Sequence, residues 1–130
     1  MRCTYLSIDE VNQDWAEKLA IESGVELDSI SPRDLSPENS DCLLVDLDSL
    51  PAGYGKTVLA DLLAGKREGP AAVHSYHLRR RDARLLRRRG VIVSRRLEPE
   101  VFRRLRRALA SHKKETSAPQ YPAGFSITSG

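Results

Sequence analysis

At 130 residues and 40% hydrophobic positions, the chain can furnish one core. It has no apolar run near the roughly 18 residues of a membrane span, no apolar leader after Met1-Arg-Cys-Thr-Tyr-Leu6, and no ligand spacing between Cys3 and Cys42. A reduced, cytoplasmic protein is expected. The net charge of +3 hides a division. Residues 1–76 hold 6 Lys/Arg against 14 Asp/Glu, net −8, and residues 77–114 hold 15 against 3, net +12. A basic segment of that density points to a polyanionic partner or an acidic protein surface.

In chain order, Cys3–Ile8 reads as a strand ending at the acids Asp9 and Glu10. Val11–Ser23 has helical spacing, with Val11, Trp15, Leu19 and Ala20 on one face and Gly24 as its stop. Val25–Ile30 is a weaker strand, expected near a sheet edge, and the Pro- and Ser-rich 31–40 reads as loop. Asp41–Leu47 is an apolar run buried on both faces that closes on Asp46, as in a parallel sheet. Pro51–Gly55 reads as loop and Lys56–Ala64 as helix. Pro70–Ser75 is the fourth strand, Arg79–Arg89 a helix, and Val91–Val93 the fifth strand. A last helix opens near Pro99 with Val101, Phe102, Leu105, Ala108 and Leu109 inward. Residues 1–111 are expected as one domain and 112–130 as a flexible tail or linker.

Strands alternating with helices predict an α/β, flavodoxin-like three-layer sandwich. It has a five-stranded parallel sheet of order 2-1-3-4-5 with helices on both faces. In such sheets chemistry gathers at the carboxyl ends of the strands, which singles out Asp9, Glu10, Asp46 and Ser75. The same acids could instead be helix caps and solvated loop residues.

Several tempting motifs carry less. Gly53-Tyr-Gly-Lys-Thr57 has the end of a phosphate loop, but Leu50 stands where that loop needs glycine, so a loop-and-cap role is preferred. His74, His77 and His112 have no metal-ligand spacing to Cys or His. Trp15 is expected in the core or at its rim.

The arginines form stripes. Arg80, Arg84, Arg87 and Arg88 fall on one helix face, and Arg103, Arg106 and Arg107 fall on one face of the last helix. Like charges so spaced repel mildly, and few acids are nearby, so a functional basic surface is favoured over a merely solvated one.

Residues 3–110 resemble the receiver domains of bacterial response regulators. The resemblance rests on Asp9 and Glu10 after the first strand, Asp46 ending the third and Ser75 ending the fourth. It implies a two-component signalling domain, not an enzyme beyond self-phosphorylation and dephosphorylation at an aspartate. Asp46 would be the phosphoacceptor, Ser75 the switch hydroxyl, and Asp9, Glu10 and Asp46 the ligands of Mg²⁺. The family's strand-five lysine is matched by Arg95, its following proline by Arg96, and its switch aromatic by Ile92. These departures imply an atypical or pseudo-receiver. Its partners would be a histidine kinase, an output protein or a second copy, met through the face formed by the Arg79–Arg89 helix, the fifth strand and the last helix. The alternative is a nucleic-acid-associated module using the same arginines.

Overall fold

The computed structural model describes residues 1–32, 40–65 and 67–117, with side chains through His112. Its elements are β1 (Arg2–Leu6), α1 (Glu10–Glu22), β2 (Glu26–Ile30), β3 (Cys42–Asp46), α2 (Ala52–Leu63), β4 (Ala71–His74), α3 (Arg80–Arg88), β5 (Ile92–Ser94) and α4 (Pro99–Ser117). A single 3₁₀ turn, Leu47–Ser49, links β3 to α2. All strand pairs are parallel, and the order is β2-β1-β3-β4-β5. The predicted class and topology are therefore those of the molecule, with the weak second strand at an edge.

The two-residue period of the strands divides the core. Cys3, Tyr5, Leu44, Ala72 and Ile92 point to one side and pack on Ala16 and Leu19 of α1 and Phe102 and Leu105 of α4. Leu6, Val45, Val73 and Val93 point to the other and meet Leu62 of α2 and Ala83 and Leu86 of α3. Phe102, Leu105 and Leu86 are wholly buried, each worth about 1.5–3 kcal/mol in apolar burial. Cys3 and Cys42, partners in the β1–β3 register, are buried free thiols. At the amino end of β4, Gly69 has φ +86°, and a Cβ there would stand 2.7 Å from the Asp41 carbonyl oxygen. Only glycine lets β4 enter the sheet so close to β3.

Three local expectations change. On α1 the buried residues are Ala16, Leu19 and Ala20. Val11 is 76% exposed, and Trp15 sits at the rim with its Nε1 donating to the Leu97 carbonyl at 3.1 Å. At 100° per residue Val11 lies on the side of the helix opposite Ala20, so it faces solvent while Asn12 and Gln13 of the same turn reach Asp46 and Ser7. The expected loop Pro51–Gly55 is mostly helix. Pro51 is the N-cap, and Gly55 is buried with its Cα facing Leu47. Packing of Tyr54, Val58 and Leu62 against the sheet outweighs the roughly 1 kcal/mol that each glycine costs a helix. Finally, α4 runs on to Ser117, so residues 112–117 are helical, while 118–130 lie outside the described residues. Most of the expected 31–40 loop (33–39) also lies outside them. Among the described residues no helix is long and apolar enough to cross a membrane.

Candidate functional site

The strand period also sets the site. Asp46 and His74 are register partners at the ends of β3 and β4, on the same side as Tyr5 and below α1. Asp46 is 1% exposed. Its Oδ2 accepts a hydrogen bond from Ser7 Oγ at 2.9 Å and another from Asn12 Nδ2 at 2.8 Å. Those donors are held in turn. Ser7 Oγ accepts the Asp9 backbone N–H, and Gln13 Nε2 donates to the Ser7 carbonyl at 2.7 Å. Ser49 Oγ donates to the Asp46 carbonyl at 2.9 Å and accepts the Ile8 N–H. A buried acid needs such partners, since leaving it bare costs several kcal/mol.

Tyr5 and His74 form the pocket floor. The Tyr5 hydroxyl lies 2.7 Å from His74 Nε2, with the rings stacked at 5.7 Å. Burial, with Asp46 nearby, pushes the Tyr5 hydroxyl well above its ordinary pKa, so it stays protonated. A protonated hydroxyl can donate to Nε2 or accept from it, according to the tautomer of His74. Burial lowers the His74 pKa against the pull of Asp46 and Asp48. His74 is accordingly neutral, and its 3.9 Å approach to Asp46 Oδ1 is not an ion pair.

The other expected residues are placed differently from one another. Asp9 is the exposed N-cap of α1, its Oδ1 accepting the Asn12 N–H at 3.1 Å. Glu10 is exposed in the first helical turn. Ser75 is buried, but its hydroxyl donates to Asp48 Oδ1, while the Tyr76 N–H donates to Asp48 Oδ2 at 2.8 Å. Two separate acids thus close β3, Asp46 beneath α1 and Asp48 against the β4–α3 loop. β5 ends at Ser94, whose hydroxyl donates to the Arg96 carbonyl at 2.6 Å, and Arg95 stands exposed one residue beyond. Among the described residues no three His, Cys, Asp or Glu side chains gather as metal ligands. The donor set around Asp46, a hydroxyl and an amide, does not fit a divalent cation, which asks for several oxygen ligands.

Sequence reasoning passed over Ser7, Asn12, Tyr5, His74 and Asp48. The signal available was parity. Position 7 continues the Cys3–Tyr5 face of β1, and position 74 continues the Ala72 face of β4, so both arrive beside Asp46.

The arginine surface divides in two. On α3, Arg80, Arg81, Arg84, Arg87 and Arg88 are exposed, and among the described residues no ion pair engages them. On α4, Arg103, Arg106 and Arg107 are occupied, and Arg104 is exposed. Arg103 and Arg107 both bind Glu100, at 2.8 and 3.1 Å, and hold its carboxyl below its ordinary pKa. Arg106 donates to the Ser23 and Gly24 carbonyls at the carboxyl end of α1.

No protein-family model matches the sequence, and no curated protein sequence matches it. Solved structures do. A CheY-like response regulator receiver domain from Methanospirillum hungatei superposes with TM-score 0.68 at 14% identity, over 88% of this chain and 97% of that one. The fold is that of receiver domains. The non-phosphorylated HemR receiver domain from Leptospira biflexa follows with TM-score 0.64 at 14% identity, over 84% and 94%. A putative pilus assembly protein (cpaE) from Burkholderia thailandensis has TM-score 0.56 at 18% identity, over 91% and 98%. Chains described by different roles thus share this fold.

Proposed function

We propose that this chain is an atypical, cytoplasmic receiver-type signalling domain that works by protein contact. The contact is made by the arginine face of α3 and not by phosphoryl chemistry at Asp46. One contrast carries the reading. The Asp46 carboxyl is buried and its Oδ2 is held by neutral donors, whereas five arginines of α3 are exposed and, among the described residues, engaged by no ion pair.

A phosphoacceptor must be reachable by the donor and flanked by groups that neutralise the incoming charge. Here the position beneath α1 is closed by Ser7 and Asn12, and the hydroxyl at the end of β4 is committed to Asp48. Arg95, the match for the family lysine, is exposed beyond the strand end. We therefore assign Asp46 a structural role and no resident Mg²⁺. The partner would be an acidic surface on an output protein or kinase, since clustered arginines recognise carboxylates bidentately.

The test compares the wild-type chain with Arg84→Glu/Arg87→Glu/Arg88→Glu. The probes are a poly-glutamate peptide and a DNA duplex, each titrated with salt. Salt-sensitive binding of the peptide, lost in the variant, is expected. No binding of either probe would overturn the reading. Preferential duplex binding, with affinity falling linearly in log–log against salt, would replace it with a nucleic-acid role.

A further inference from the structure

The face that α1 turns to solvent is unusual for a lone helix. Val11 and Ile21 are 76% and 72% exposed, and they stand among the exposed acids Asp14, Glu17 and Glu22, with Lys18 the one base of that helix. Apolar residues ringed by charge are the anatomy of a contact surface.

A complementary surface lies at the far side of the molecule. Between α2 and α3 runs an open groove of about 490 Å³, lined by Leu63 and Leu85 and flanked by Arg88 and Arg89. Its floor is apolar and its wall basic, as α1 is apolar and acidic. A helix laid in such a groove uses apolar anchors for affinity and flanking charges for register.

The two surfaces cannot meet within one molecule. α1 packs on the sheet face it shares with α4, whereas α2 and α3 cover the other. α1 lies by the β2 edge and α3 by the β5 edge.

We propose that copies of this chain associate head to tail, the outer face of α1 in one copy seating in the α2–α3 groove of the next. This rests on the reading of the α3 arginines as a docking surface and names a second copy as an occupant. The contact is heterologous. Because donor and acceptor faces lie on opposite sides, two copies cannot satisfy each other reciprocally, and the assembly grows past the dimer, as a ring or an open chain. A 13-residue helix spans about 20 Å, so the buried area falls at the small end for interfaces. The association is therefore weak, and charge sets much of its strength.

Sedimentation velocity on the full chain, from micromolar to near-millimolar loading, tests this. The average mass should pass that of a dimer as concentration rises at about 0.1 M salt, with the association constant falling at least tenfold at about 1 M, where screening acts over about 3 Å. Asp14→Lys/Glu17→Lys/Ile21→Lys alone should be monomeric, as should Arg88→Glu/Arg89→Glu alone. An equimolar mixture of the two should associate again, because each supplies the face the other lacks. Circular dichroism on both establishes that they are folded.

A wild-type chain that stays monomeric, an α1 variant that assembles like the wild type, or a mixture that stays monomeric would overturn the proposal. Poly-glutamate binding separates the two levels. A monomeric chain that still binds the peptide removes self-association and leaves the arginine-face reading standing. A chain that does neither removes both.

Discussion

Asp46 and the arginines of α3 are two ways for a small domain to hold charge. Asp46 is carried into the interior at a strand end, and the fold spends a serine, an asparagine and the β1–α1 loop to satisfy it. The α3 arginines are kept at the surface, where water satisfies them and nothing in the described residues neutralises them. In the proposed reading the interior group is a structural element and the exterior group is what a partner meets. α4 lies between these extremes: its arginines are exposed, yet Arg103, Arg106 and Arg107 are tied to Glu100 and to the end of α1.

The comparison can be broken by making each region behave like the other. Asp46→Ala would leave the buried Ser7 hydroxyl and the half-buried Asn12 amide without their acceptor, and should cost about 3 kcal/mol in urea unfolding. A loss under about 0.5 kcal/mol, the range of ordinary surface substitutions, would mean that the pocket is not the structural feature described.

Tyr5→Phe removes one hydrogen bond from the same floor and should cost about 1 kcal/mol, without altering the fold.

The His74 ring contributes a pH dependence. Its folded pKa lies below the ordinary 6.5, so the unfolded chain binds the extra proton first as pH falls. Stability from this group is complete above about pH 6.5 and declines as pH drops from there toward the lowered folded value. The slope between pH 7 and 5 should flatten in His74→Gln, as measured by denaturant midpoints. An unchanged slope would remove His74 from the account.

The smallest effect on stability is expected where the largest effect on binding is. Arg84→Glu/Arg87→Glu/Arg88→Glu should change unfolding free energy by no more than about 0.5 kcal/mol per site, with the sign tending to stabilisation as like-charge repulsion is relieved. A strong destabilisation would make α3's charge structural after all.

Much of the architecture was legible because periodicity reports burial. The apolar run to Asp46 and the alternating helices sufficed for the order of the sheet, and Asp46 fell at the buried end of β3 as expected. The pocket was less legible because it turns on one or two residues at a strand end. The acids that drew attention after β1, Asp9 and Glu10, lie just past the position that faces Asp46. That position is Ser7, a residue with no charge to mark it. Asp48 was hidden in the same way, since only the 3₁₀ turn after β3 swings it toward Ser75. Val11 misled because it stands half a turn of the wheel from Ala20, so the two cannot share the buried face. The α3 arginines were read correctly as one exposed stripe, whereas the bonds of Arg106 to α1 depend on packing between helices distant in sequence.

The central claim is that Asp46 is held structurally through its Oδ2 and that signalling runs through the α3 surface. The most direct test is an amide NMR titration with millimolar Mg²⁺, followed by Mg²⁺ with beryllofluoride, a mimic of an aspartyl phosphate. The account predicts no saturable shifts at Ser7, Asn12, Asp46 or Ser75. Saturable shifts at those residues, lost in Asp46→Asn, would contradict it and make Asp46 a working phosphoacceptor.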